Sequence, residues 1–247
     1  MAESTARVRD NPRTRPAKAP LSRDAVIAAA LALVDEAGCG ALTMRRVAQA
    51  LDTGPASLYV YVADRDELMA EAYDLALAGV RLPGPADGDW RARLELLVDR
   101  TITTLGGHGD IALVAITRVP TGPHALRVLE ELMTLLRAGG IDDSLCPWAA
   151  DLLDQFVTSS ALELAARLRD QRARAAAEGP AEATEEAMSR AAGSALDAVY
   201  GGLPAAGYPT IHALRAAMTS AGQDSRAHAA WKLSVIIDGL LAHRRRR

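Results

Sequence analysis

The chain has 247 residues, 49% of them apolar but only 4% aromatic, and a net charge of −3. That is room for one large domain or two unequal ones, with a core of Leu, Ala and Val that favours helix over sheet, and it excludes nucleic-acid binding by bulk positive charge. Cys39 and Cys146 form no metal-ligand spacing, the N-terminus lacks a signal-peptide core, and the apolar run Leu233–Leu241 is too short for a bilayer and carries Asp238, so a cytoplasmic, nucleoid-associated protein without cofactor or metal is expected.

Residues 1–20 set Arg7, Arg9, Arg13, Arg15 and Lys18 against Glu3 and Asp10, with prolines at 12, 16 and 20. They read as a flexible basic arm able to lie on phosphates. A helix is expected from Arg23 to Ala37, capped by Ser22 and ended by Gly38. Thr43 caps a second helix, on which Met44, Val47, Ala48 and Leu51 recur at helical spacing. Asp52-Thr53-Gly54 breaks it, and Pro55 opens a very short helix to about Val60. Leu58 and Val62 can face inward there, leaving Ser57, Tyr59 and Tyr61 outward. Such an element has too little apolar surface for a core position and reads as the recognition element of a helix-turn-helix. Asp64, with Glu67 three residues on, marks a capping box for a further helix whose inner face is Leu68, Met69, Ala72, Leu75 and Ala76.

These segments, Leu21–Val26, Leu42–Ala48, Ser57–Val62 and Asp64–Leu68, together resemble the tetracycline-repressor (TetR) family of transcription factors, over about residues 21–80. The resemblance implies an all-α chain: an N-terminal three-helix helix-turn-helix domain (21–80), then a larger C-terminal helical domain (89–243) for effector binding and dimerisation. It also implies that the helix after Asp64 bridges the domains and transmits the effector signal.

Pro83, Gly84, Pro85 and Gly88 mark the boundary. Beyond it, helices are expected at 89–105 (ended by Gly106-Gly107), 110–119, 123–138 and 145–169. Residues 170–190 read as a mobile, partly helical insert. Short helices near 190–200 and 210–220 follow, then a last helix from Ser225 to His243. Its apolar stripe, including Trp231, Val235, Ile236, Ile237, Leu240 and Leu241, is wider than one packing partner needs. The family resemblance pairs this helix with that near 145–169 in a homodimer.

A dimer would place two recognition elements in successive major grooves of a near-palindromic operator. Arg45 can bond a guanine edge bidentately or a phosphate, and the resemblance favours the base. Ser57 suits a base edge or a phosphate, and Thr43 adds a hydroxyl. The resemblance makes Tyr59 and Tyr61 phosphate anchors. Arg65 can reach a phosphate beside its helix N-terminus. Pro55 and Ala56 offer only apolar contacts, so the operator should differ there. Candidate effector-pocket residues are Thr101, His108 (with Asp110 nearby), Arg118, Glu131, Trp148, Gln155, Thr158 and Ser159, polar groups set among apolar ones. Residues 106–120 resemble the segment of the tetracycline repressor in which a histidine holds magnesium with the drug. Ala115 stands at that position, which points instead to a small, largely apolar effector. The expected protein is a repressor released from double-stranded operator DNA by such a molecule. An enzyme and a sequence-tolerant architectural DNA-binding protein are the alternatives, the first disfavoured because no nucleophile elbow, phosphate loop or metal-spaced histidine pair occurs.

Overall fold

Ser22 accepts the Ala25 amide hydrogen and Asp24 occupies the first turn, so the chain enters α1 (Arg23–Ala37) with one of its free N–H groups capped and its dipole answered. Gly38, at φ +78°, ends the helix and donates back to Val34. A single 3₁₀ turn, Cys39–Ala41, leads to α2 (Met44–Ala50), where Thr43 accepts from the Arg46 amide. After the turn at Asp52, a 3₁₀ helix rather than an α-helix spans Pro55–Val60, and α3 (Arg65–Leu77) follows. Asp64 caps α3 through the Glu67 amide. Glu67, however, accepts from the Ala63 amide, one residue beyond the expected reciprocal partner, Asp64.

The computed structural model describes residues 20–180, 184–220 and 225–243, and among them there is no strand. The second half comprises α4 (Trp90–Gly107), α5 (Leu113–Thr117), α6 (Pro123–Ala138), α7 (Cys146–Glu178), α8 (Glu185–Gly201), α9 (Pro209–Ser220) and α10 (Ser225–His243). No helix among the described residues is long and apolar enough to cross a membrane.

Three elements differ from expectation. α4 ends at Gly107, two residues later than expected: a Cβ at Gly106 would stand 2.7 Å from Leu164 Cδ2, so that glycine also lets α4 lie against α7. The segment 110–119 is helical only over Leu113–Thr117, because turns occupy its start. Residues 170–178 are no separate insert but the last turns of α7, as their Ala-, Arg-, Gln- and Glu-rich composition allows, and the break comes at Gly179, φ +98°. Thr184 then caps α8.

One buried apolar cluster runs from Val26 and Leu33 of α1, through Leu58, Leu68 and Tyr73, to Leu94, Leu135, Leu153 and Ile237. α4, α6 and α7 pack on one another, α3 packs on α1, α4 and α6, and α10 packs on α7. α8 and α9 pack chiefly on each other: α8 buries only Gly193, and α9 buries nothing.

Candidate DNA interface and effector site

Residues 21–80 hold four arginines, no lysine and nine acids, so a DNA-facing surface must be sorted residue by residue. Arg23 pairs with Glu71 at 2.9 Å and with Glu67 at 3.5 Å. Arg46 donates to the Ala41 carbonyl at 3.3 Å. Arg65 donates through Nε to Leu42 O at 2.8 Å and through Nη2 to Cys39 O at 2.9 Å. Arg45, exposed on α2, makes no such bond. With Gln49 one turn on, and with Asp52, Thr53 and Pro55, it lines an open groove of about 510 Å³. Asp52 sits at φ +50°, where glycine or asparagine is usual after a helix, and that backbone turns the chain into the recognition element. Fully buried Leu58 pins this element to the core, while Tyr59 (54% exposed) and Val60 (79%) stand out from it. Pro55 and Ala56 are exposed and Ser57 half-buried.

Three residues expected to contact DNA have internal partners. The Tyr61 hydroxyl donates to Leu21 O at 2.6 Å, and its ring packs on the core, so it latches the recognition element to the entry of α1. Arg65 satisfies the carbonyls that follow α1, and the Thr43 hydroxyl is engaged on its own helix. The basic arm lies outside the described residues, except for Pro20.

The effector candidates do not converge. His108 Nδ1 lies 2.9 Å from Asp35 Oδ1, and Arg118 reaches Asp66 at 3.3 Å, so both tie the C-terminal half to the N-terminal one. Asp110 belongs to the same junction: its Oδ1 accepts the Cys39 amide at 2.6 Å. Burial, then Asp110, pushes the Cys39 thiol up to about 12, which leaves it an unreactive neutral donor. Trp148 is 75% exposed, Gln155 donates to Asp151, and exposed Ser159 to Phe156 O. Glu131 accepts from Arg93 at 2.8 Å between α4 and α6. Only Thr101 and Thr158 are buried, on the packed helices α4 and α7, and Thr101 donates to Leu97 O. A smaller groove of about 220 Å³ beside Met133, Arg137 and Pro147 includes none of these candidates.

The sequence reading missed two interior polar features of this half. Arg93 Nε is buried without a partner. Asp154 on α7 is held above the ordinary carboxylate range, first by burial and then by Asp151, and its charge adds to the burial that raises the Tyr73 phenol. Neither has a local signature, because both arise from burial between helices distant in sequence. Among the described residues no group of three or more His, Cys, Asp or Glu is placed to hold a metal.

Two family models match the chain. One, described as "Bacterial regulatory proteins, tetR family", covers residues 26–72, and the other, "Tetracyclin repressor-like, C-terminal domain", covers 82–244. The HTH-type transcriptional repressor DrrR1 of Streptomyces coeruleorubidus is 37% identical over 155 residues, 60% of this chain and 56% of that one. An HTH-type transcriptional regulator of Saccharopolyspora erythraea is 33% identical over 128 residues, 52% of this chain and 53% of that one. The chain thus spans about half the length of these curated relatives. Among solved structures, ActR from Streptomyces coelicolor without ligand superposes with a TM-score of 0.73 at 35% identity, covering 92% of this chain and 100% of that one. The same protein in complex with actinorhodin gives 0.74 at 36%, with the same coverage.

Proposed function

Because the chain belongs to the tetracycline-repressor (TetR) family of bacterial regulatory proteins, we propose that it is a ligand-responsive DNA-binding transcriptional regulator. It acts as a repressor, binding a near-palindromic operator as a homodimer and released by a small, largely apolar molecule. The observation that carries this reading is the one unpartnered arginine of residues 21–80, Arg45, standing on the wall of an open groove beside an exposed recognition element.

In this reading Arg45 is a base reader, Ser57 and Tyr59 contact the operator backbone or base edges, and Pro55 and Ala56 face thymine methyls. Residues 21–80 form the DNA-binding unit and 89–243 the effector and dimer unit. Homodimerisation uses α7 and α10. Each carries an outward apolar pair one helical turn apart, Trp148 with Leu152 and Trp231 with Val235, and all four are exposed. The two-fold axis then sets the half-sites about one helical turn of DNA apart. The effector is of the actinorhodin kind, supported by the actinorhodin complex of ActR. It binds among α4, α6 and α7 near Thr101 and Thr158, and its binding selects a pose of α3 that no longer fits two successive grooves. By linkage, operator binding weakens effector binding by the same factor.

The test is selection from random duplex DNA by the full-length protein, followed by titration of the complex with actinorhodin. A near-palindromic winner that actinorhodin displaces supports the reading. Enrichment without any symmetric sequence would favour an architectural protein and overturn it.

A further inference from the structure

Asp74 has no place in a conventional account of α3. It is an acid near that helix's C-terminal end, where the helix dipole disfavours negative charge, and it is only 8% exposed. Its carboxylate is spent on another helix. Oδ1 accepts the Ala125 amide at 2.9 Å and Oδ2 the His124 amide at 3.3 Å. These are free N–H groups at the start of α6, whose first residue, Pro123, has none, and whose N-cap, Gly122, has no side chain to offer. The cap of α6 is therefore supplied by α3. Gly122 has an ordinary φ of −70°, so its glycine answers to space: a Cβ there would stand 2.2 Å from Asp74 Cγ.

The exchange is reciprocal. From the second turn of α6, Arg127 Nη2 donates to Val80 O at 2.8 Å, just past the end of α3, and at 3.5 Å to Leu77 O, which also accepts the Val80 amide at 3.0 Å. Each helix thus carries the charged cap of the other, negative at an N-terminus and positive at a C-terminus. The start of α3 follows Val62, which is buried beside Leu58 under the recognition element. The clasp therefore sits on the helix that leads back to the recognition element.

We infer that Asp74, with Gly122 and Arg127, is a positioning residue for operator recognition: the two-ended clasp between α3 and α6 holds the recognition element in its operator-binding pose. This rests on the DNA-binding reading above. The clasp touches neither the groove at Arg45 nor the apolar faces of α7 and α10.

The test uses full-length parent, Asp74→Asn, Arg127→Met and Gly122→Ala. Gly122→Ala keeps both charges and adds one methyl. The duplex is the one the parent selects from random sequence, with an unrelated duplex as control, and folding is verified by circular dichroism and Tm. Each folded variant is expected to bind the selected duplex about tenfold more weakly, with control binding unchanged. In the parent, the selected duplex should slow hydrogen exchange of the His124 and Ala125 amides, and in Asp74→Asn that slowing should vanish. Folded variants with parental affinity for the selected duplex would overturn the inference, as would a parent whose α6 amides ignore DNA. A parent that selects no duplex would overturn the DNA reading, and the clasp's role with it.

Discussion

The two halves of the chain spend their side chains in opposite ways. In residues 21–80 the polar groups mostly hold the domain's own backbone: Ser22, Thr43 and Asp64 cap helices, Tyr61 latches Leu21, and Arg46 and Arg65 satisfy carbonyls. What remains outward is a short list led by Arg45, Gln49, Tyr59 and Val60. In the C-terminal half apolar groups are left over instead. Trp148, Leu152, Trp231 and Val235 are exposed on α7 and α10, and α8 exposes Leu196 and Val199. A domain with saturated packing and one free cation is made to meet an anion. Uncovered apolar helix faces are what the proposed homodimer would cover.

The contrast can be broken or sharpened by substitution. The largest effect is expected at Leu58, fully buried beneath the recognition element: Leu58→Ala should cost about 3 kcal/mol in denaturant unfolding, and operator binding falls with it. Trp231→Ala should behave in the opposite manner. Monomer stability should change by under about 0.5 kcal/mol, whereas sedimentation should show the dimer weakened by about tenfold or more. Equal losses of monomer stability at both sites would remove the distinction.

Asp52→Gly relieves a side chain held at φ +50° and should raise stability by about 1 kcal/mol, an effect read as Tm. The smallest effect concerns Asp154. Because burial raises its folded-state pKa, the folded chain takes up the proton more readily than the unfolded one. Stability is therefore undiminished below the ordinary carboxylate range and falls as pH rises through the raised value. Asp154→Asn should raise Tm at neutral pH, and the gain should disappear below about pH 4.

Local signals were readable and distant ones were not. Ser22, Gly38, Thr43 and Asp64 act within a few residues of their own position, so the boundaries of α1 and the starts of α2 and α3 follow from residue type. Pro123 opens α6 for the same reason. The bond from Tyr61 to Leu21 was invisible to spacing, because its partner lies 40 residues back. Gly106-Gly107 read as the end of α4, which it is, but the close approach of Gly106 to Leu164 on another helix left no local sign. The effector candidates failed to converge for a related cause. A polar residue among apolar ones marks a helix-to-helix bond as readily as a ligand, and His108, Arg118 and Glu131 all proved to be engaged with acids or arginine across helices. Arg45 was legible, because its exposed position on a short capped helix is set by local periodicity.

The central claim is that Arg45 is free for DNA while the other arginines of its domain hold the fold. Measuring Arg45→Ala on the selected operator, beside its Tm, tests that most directly. The account predicts affinity lower by about 2 kcal/mol with Tm unchanged, the signature of a lost base contact. Parental affinity in a fully folded Arg45→Ala protein would contradict it.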